Sequence, residues 1–133
     1  MATIDNRPDT VDIFHYAGDT LTIKVEAPAG LTDGKTWLAQ VKTSRASPTV
    51  DALFTITAPT SSGGPAYLML PAAVTAQLAG TGATVRKMQA GTMAVVQSYV
   101  GEWDVQVSVN GLDPVTTLCQ GALTIELDVT RLP

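Results

Sequence analysis

The segment Glu102-Trp103-Asp104-Val105-Gln106-Val107-Ser108-Val109 decides how this chain is read. Trp103, Val105, Val107 and Val109 fall on one side of an extended backbone, with Glu102, Asp104, Gln106 and Ser108 on the other. Alternation with a period of two marks a strand with one buried face, because successive side chains in a strand point to opposite sides. A helical period would scatter the same apolar positions around its circumference. Leu21-Thr22-Ile23-Lys24-Val25-Glu26 alternates in this way. So does Leu123 to Thr130, where Leu123, Ile125, Leu127 and Val129 oppose Thr124, Glu126, Asp128 and Thr130.

Weaker strand patterns lie at Val11–Tyr16, Thr36–Thr43, Leu53–Thr57 and Ala66–Leu70. Turn chemistry separates them: Ala17-Gly18-Asp19, Pro28-Ala29-Gly30, Asp33-Gly34, Ser62-Gly63-Gly64-Pro65 and Asn110-Gly111. The Asn-Gly pair between two β-like runs signals a hairpin, with Leu112-Asp113-Pro114 lengthening its loop. Gly121 interrupts the last run and marks a bulge. Pro71-Ala72-Ala73-Val74-Thr75-Ala76-Gln77-Leu78-Ala79-Gly80 reads differently, with proline at the first helical position and glycine as the stop. It predicts one short connecting helix near 71–80. The stretch 81–98 fits a long loop or an extra hairpin. Seven or so short strands with regular punctuation argue for an antiparallel sandwich or barrel.

The 133 residues suit a single domain, here 10–133, preceded by an N-terminal arm, 1–9. Cys119 is the only cysteine, which excludes an internal disulfide framework and a multi-cysteine zinc site. Eight Lys and Arg against twelve Asp and Glu give a net charge of −4, and the basic residues are scattered. A nucleic-acid binder would show a basic stripe, so no nucleic acid is expected as a partner. Ala52 to Val85 carries no charge but is broken by Pro59, Gly63, Gly64, Pro65 and Pro71, so no membrane span is expected. The first residues, with Asp5 and Asp9 and no apolar run, do not read as a signal peptide.

A search for catalytic chemistry finds no constellation. His15, the single histidine, alternates inside a predicted strand beside Phe14 and Tyr16, without a G-x-S-x-G elbow anywhere. Cys119 follows Leu118 on a β-like run with no cation near it in sequence, as a packed thiol would. The pairs Glu102 with Asp104 and Glu126 with Asp128 lie on polar strand faces, where carboxylates serve solubility rather than glycoside hydrolysis or calcium binding. Trp37 and Trp103 belong to the apolar sides of their strands, so they read as core rather than as a sugar platform. The expected core is Trp37, Trp103, Val105, Val107, Leu123, Ile125 and Leu127. No cofactor, no metal and no enzymatic activity are expected.

The order of the elements carries a resemblance. Gly18-Asp19-Thr20-Leu21-Thr22, Thr36-Trp37-Leu38-Ala39-Gln40-Val41-Lys42 and Leu68-Met69-Leu70-Pro71 run into Thr75-Ala76-Gln77-Leu78. Tyr99 with Glu102-Trp103-Asp104-Val105-Gln106-Val107 follows, and Gly121-Ala122-Leu123-Thr124-Ile125 with Asp128-Val129-Thr130-Arg131 closes the series. From about Gly18 to Arg131 this resembles the small β-sandwich virion proteins of tailed bacteriophages. It is similar to the N-terminal domain of baseplate upper proteins and to virion sandwich domains of actinobacterial phages. The stretch 81–98 departs from their compact pattern, in which the helix leads promptly into the next strand.

The expected fold is therefore all-β: an antiparallel two-sheet, Ig-like β-sandwich of about seven or eight strands with one short helix. The resemblance implies a non-enzymatic structural part of a virion, made in the bacterial host cytoplasm, in a tail tip, baseplate or head-surface position. Its partners would be other virion proteins, and a homo-oligomer is compatible with that role. A host receptor- or glycan-binding module is the alternative, with exposed aromatics in 81–99 or near Tyr67. The arm 1–9 is too polar and too short to add to the core and would be disordered in an isolated domain. The stretch 81–98 is long for a bare connection, and long loops are usually functional. Arg7, Arg86, Met88, Met93 and Tyr99 are the candidate partner contacts, methionine suiting irregular surfaces through its flexible side chain.

Overall fold

The computed structural model describes residues 9–27, 32, 34–44, 46–89, 91–110 and 112–128. The elements whose bounds are described follow in the order β1 (Asp9–Thr10), β2 (Ile13–Tyr16), β3 (Leu21–Val25), β4 (Thr36–Lys42), β5 (Ala52–Leu53), β6 (Thr55–Thr57), β7 (Ala66–Leu70), α1 (Ala72–Gly80), β8 (Ala83–Gln89), β9 (Thr92–Val109) and β10 (Leu112–Asp128). β1, β10, β9, β4 and β5 lie side by side in the larger sheet, to which β2 adds on β10 and β8 on β9. The smaller sheet runs β3-β7-β6. Between them lies a core drawn from both: Ala39, Val41, Tyr99, Trp103, Val105, Leu123 and Ile125 from the larger, and Leu21, Val25, Leu68 and Leu70 from the smaller. The architecture is a two-sheet, sandwich-like β fold.

The alternating segments follow their periodicity over most of their length, but Val109 is exposed and Ser108 and Glu126 are buried, contrary to it. Trp103, Val105, Val107, Leu123 and Ile125 are buried, while Trp37 and Leu127 are partly buried at the margin of the core. Both alternating runs, however, belong to much longer strands of 18 and 17 residues. The hairpin between them turns directly at Asn110, whose φ of 53° places it in the left-handed region that asparagine tolerates, with Val109 paired to Leu112. The loop is thus not lengthened by Leu112-Asp113-Pro114; a register shift between Leu112 and Val115 absorbs those residues inside the ladder.

Three further expectations change. The single strand expected at Leu53–Thr57 is divided at Phe54 between the two sheets. Phe54 turns inward there and packs edge-on against Trp103, with ring centroids 6.2 Å apart, so the chain crosses from one sheet to the other over its own core. Pro71 caps α1 in an extended conformation rather than starting it, and Thr81 rather than glycine closes it, its N–H and hydroxyl both bonding to the Leu78 carbonyl. The bulge lies between Thr117 and Cys119, not at Gly121, which sits in regular register opposite Trp103.

Gly121 has another use. β1 and β2 both run parallel to β10 in one continuous register, Asp9 opposite Cys119 and Ile13 opposite Leu123, interrupted at Val11 and Asp12. The Val11 carbonyl passes so close that a Cβ on residue 121 would lie 1.9 Å from its oxygen. That oxygen accepts the Trp103 indole N–H at 2.9 Å, and the Asp12 carboxylate accepts the Ala122 N–H at 3.0 Å. The interruption thus seats the first strand against the central tryptophan.

Trp103→Ala is expected to lower stability by about 3–5 kcal/mol, the range for a large core aromatic. Trp103→Phe keeps most of the packing but removes the donor to Val11, at an expected cost of about 1–3 kcal/mol. Urea denaturation measures both, and a phenylalanine variant as stable as wild type would show the indole bond to be unimportant.

Candidate functional site

The stretch 81–98 is mostly hairpin. β8 pairs antiparallel with β9 from Ala83 opposite Ser98 to Gln89 opposite Thr92, turning at Gly91 with φ 79°. On its other side, among the described residues, the ladder of β9 with β10 begins at Val96. Towards the turn, β8 is the one described strand beside it. Met88 and Met93 face one another in register at 62% and 55% exposure, and Arg86, opposite Val95, is also exposed.

The parity of β9 explains why these methionines are bare. Met93 and Val95 share the strand face that holds Tyr99 and Trp103, since side chains two residues apart lie on the same side. Over Trp103 that face meets the smaller sheet and over Gln97 it meets the end of α1, where the Gln97 amide donates to the carbonyls of Gly80 and Gly82 at 2.9 and 3.1 Å. At Met93 it has run past the helix, and no described element covers it. Arg86, Met88 and Met93 therefore lie together on one hairpin face.

Tyr99 lies apart from them and is corrected from surface contact to interior residue. It is 5% exposed, and its ring lies over Gly101, where a Cβ would come within 2.6 Å of the phenolic oxygen. Its hydroxyl donates to Asp51 Oδ2 at 2.6 Å, and the Thr43 hydroxyl donates to the same oxygen at 2.8 Å. Burial, then the bond to the Asp51 carboxylate and its charge, hold the Tyr99 phenol well above its ordinary pKa. A signal for this placement was present in the sequence: Tyr99 has the parity of Trp103, and only Gly101 interrupts the alternation. Arg7 and the arm up to residue 8 lie outside the described residues.

A cleft opens beside Tyr99 that sequence reasoning missed. On one side of β9, β4 pairs with Glu102–Ser108 and β8 with Thr92–Ser98. On that side Tyr99, Val100 and Gly101 are left between the two ladders with no described strand beside them. There the sheet gapes into a cleft of about 490 Å³ with Val74, Gln77 and Leu78 of α1 along one wall and Thr43 and Asp51 along another. Thr75, fully buried, pins the helix in place: its hydroxyl accepts the Gly18 N–H at 3.1 Å and lies 3.0 Å from the carbonyls of Asp19 and Ala72.

The remaining chemistry-bearing residues are dispersed. His15 Nε2 bonds to the Asp19 carbonyl at 2.8 Å, in the turn that Thr75 holds. Cys119 is half-buried beside the bulge. Glu126, expected on a solvated face, is 6% exposed between its register neighbours Tyr16 and Ser98. Among the described residues no three His, Cys, Asp or Glu side chains gather to hold a metal, and no helix is long and apolar enough to cross a membrane. No family model matches the chain, and no curated protein matches it.

Because the folded pKa of Tyr99 is raised, its share of stability is present at neutral pH and lost as pH rises above the ordinary tyrosine value near 10. Above that pH, unfolding stability should fall more steeply in wild type than in Tyr99→Phe. Ultraviolet titration gives the direct reading: near pH 10.5, native wild type and the variant should show nearly equal tyrosinate absorbance, whereas the unfolded wild type should exceed the unfolded variant by about three-quarters of a tyrosinate.

Proposed function

We propose that this chain is a non-enzymatic structural component of a tailed bacteriophage particle, in a tail tip, baseplate or head-surface position, acting through contacts with other virion proteins. The ordered resemblance from Gly18 to Arg131 supports the virion assignment. The observation that carries the contact role is the Met88–Met93 pair, two large flexible apolar side chains in register on an open hairpin face with Arg86 beside them. Such residues are costly to leave in water and well suited to an irregular partner surface.

The sandwich is read as Ig-like within this proposal. β10, β9, β4 and β5 take the places of strands G, F, C and C′, and β3, β7 and β6 those of B, E and D. The hairpin is then an insertion on the F strand. A second reading, a host receptor- or glycan-binding module, is favoured by one feature. Phe14 and Tyr16, about half exposed on β2, stand edge to face with centroids 5.3 Å apart. Of the aromatics first expected to serve that role, Tyr99 lies inside, while Tyr67 on β7 is exposed at 41%.

Mass spectrometry of purified particles should find the protein in stoichiometric multiples of a symmetry number. Replacing Met88 and Met93 by Ser should reduce incorporation while leaving the melting temperature of the isolated chain within a few degrees of wild type. Normal incorporation of that variant would reject the contact role. Normal incorporation of Phe14→Ala/Tyr16→Ala with lost attachment to host cells would favour the receptor-binding reading instead.

A further inference from the structure

The cleft in the larger sheet has a definite chemical character. Among the described residues its one charged lining residue is Asp51, held by its backbone N–H to the Val41 carbonyl at 2.7 Å. The hydroxyls of Tyr99 and Thr43 both donate to Oδ2 and orient the carboxylate, so Oδ1 is the oxygen these donors leave to a ligand. Among the described residues no lysine or arginine lines the cleft, and Lys42, next to Thr43 in sequence, is in register with Glu102 on the outer face of β4. Val74, Leu78, Ala83 and Val100 supply an apolar wall within about the size range of small-ligand sites.

We propose that this cleft binds a cation borne on an alkyl stem, as an arginine or lysine side chain or a free amine or guanidine would present it. The charge meets the Asp51 carboxylate, while the stem lies along Val74, Leu78 and Val100. A ligand carried on a polypeptide has a further contact open to it, because the β9 edge at Tyr99–Gly101 has no described strand beside it on this side. The site does not depend on the virion reading, and a partner engaging the hairpin face would be a separate event.

The test is a titration of the isotope-labelled full chain with n-butylguanidinium at constant ionic strength, followed by amide NMR. Saturable shifts are expected at Gly82, Ser98 and Val100, with millimolar affinity. The neutral isostere n-butylurea should bind about threefold to fivefold more weakly, the scale of a partly exposed ion pair. Asp51→Asn, which keeps an acceptor oxygen for Tyr99 and Thr43, should lose the same factor. Should that variant fail to fold, the comparison of the two small molecules on wild type decides. A capped Gly-Thr-Arg-Thr-Gly peptide binding more tightly than n-butylguanidinium identifies a polypeptide as the source, and equal affinity identifies a free cation. Absence of saturable shifts at these amides, or equal binding of the urea, overturns the proposal, as does undiminished binding by a folded Asp51→Asn.

Discussion

The indole N–H of Trp103 bonds to the carbonyl of Val11, and most of the fold is arranged around that contact. The two residues are 92 positions apart, so the bond closes nearly the whole chain. It requires a glycine at 121, since any Cβ there would occupy the position of the Val11 oxygen. It also requires the first strand to leave its ladder for two residues, and the Asp12 carboxylate takes the amide bond given up there. On its other side Trp103 meets Phe54, the residue at which the chain passes from one sheet to the other. A single buried tryptophan thus joins the first strand, the central strand and the crossing between sheets. A buried indole needs a partner for its N–H, and a backbone carbonyl from the edge strand provides it.

The helix obeys a second constraint. α1 is apolar and short, with no acidic residue in its first turn and no basic residue in its last, so terminal charges do little to hold it. The buried Thr75 hydroxyl does so instead, reaching the turn after β2. Fixing α1 there leaves β4 and β8 separated along the same side of β9, and the cleft is the space between them. The Tyr99–Asp51–Thr43 cluster lines this gap with oriented polar groups, which distinguishes it from a packing defect.

The hairpin shows what happens to a strand face when its cover ends. β9 is one continuous strand of 18 residues, but the smaller sheet and the helix shield only part of it. Residues of one parity are buried at Trp103 and Tyr99 and open to solvent at Met93. Nothing in the strand changes between those positions. The difference lies wholly in what is packed against it.

The residues that alternate were legible in the sequence for a direct reason: a half-buried strand writes its burial as a period of two, and Glu102–Val107 does so before Ser108 and Val109 break it. The helix from Pro71 and the turn at Asn110 were legible because each depends on a residue with a local conformational preference. The division of Leu53–Thr57 at Phe54 was not legible, since an alternating run looks the same whether its halves join one sheet or two. The inward turn of Tyr99 was legible only in its parity with Trp103, because Gly101 contributes no side chain to continue the pattern. The carbonyl over Gly121, the cleft and the exposure of Met88 and Met93 all depend on segments distant in sequence. Local preferences specify which face of a strand is apolar; only the tertiary arrangement decides what, if anything, covers it.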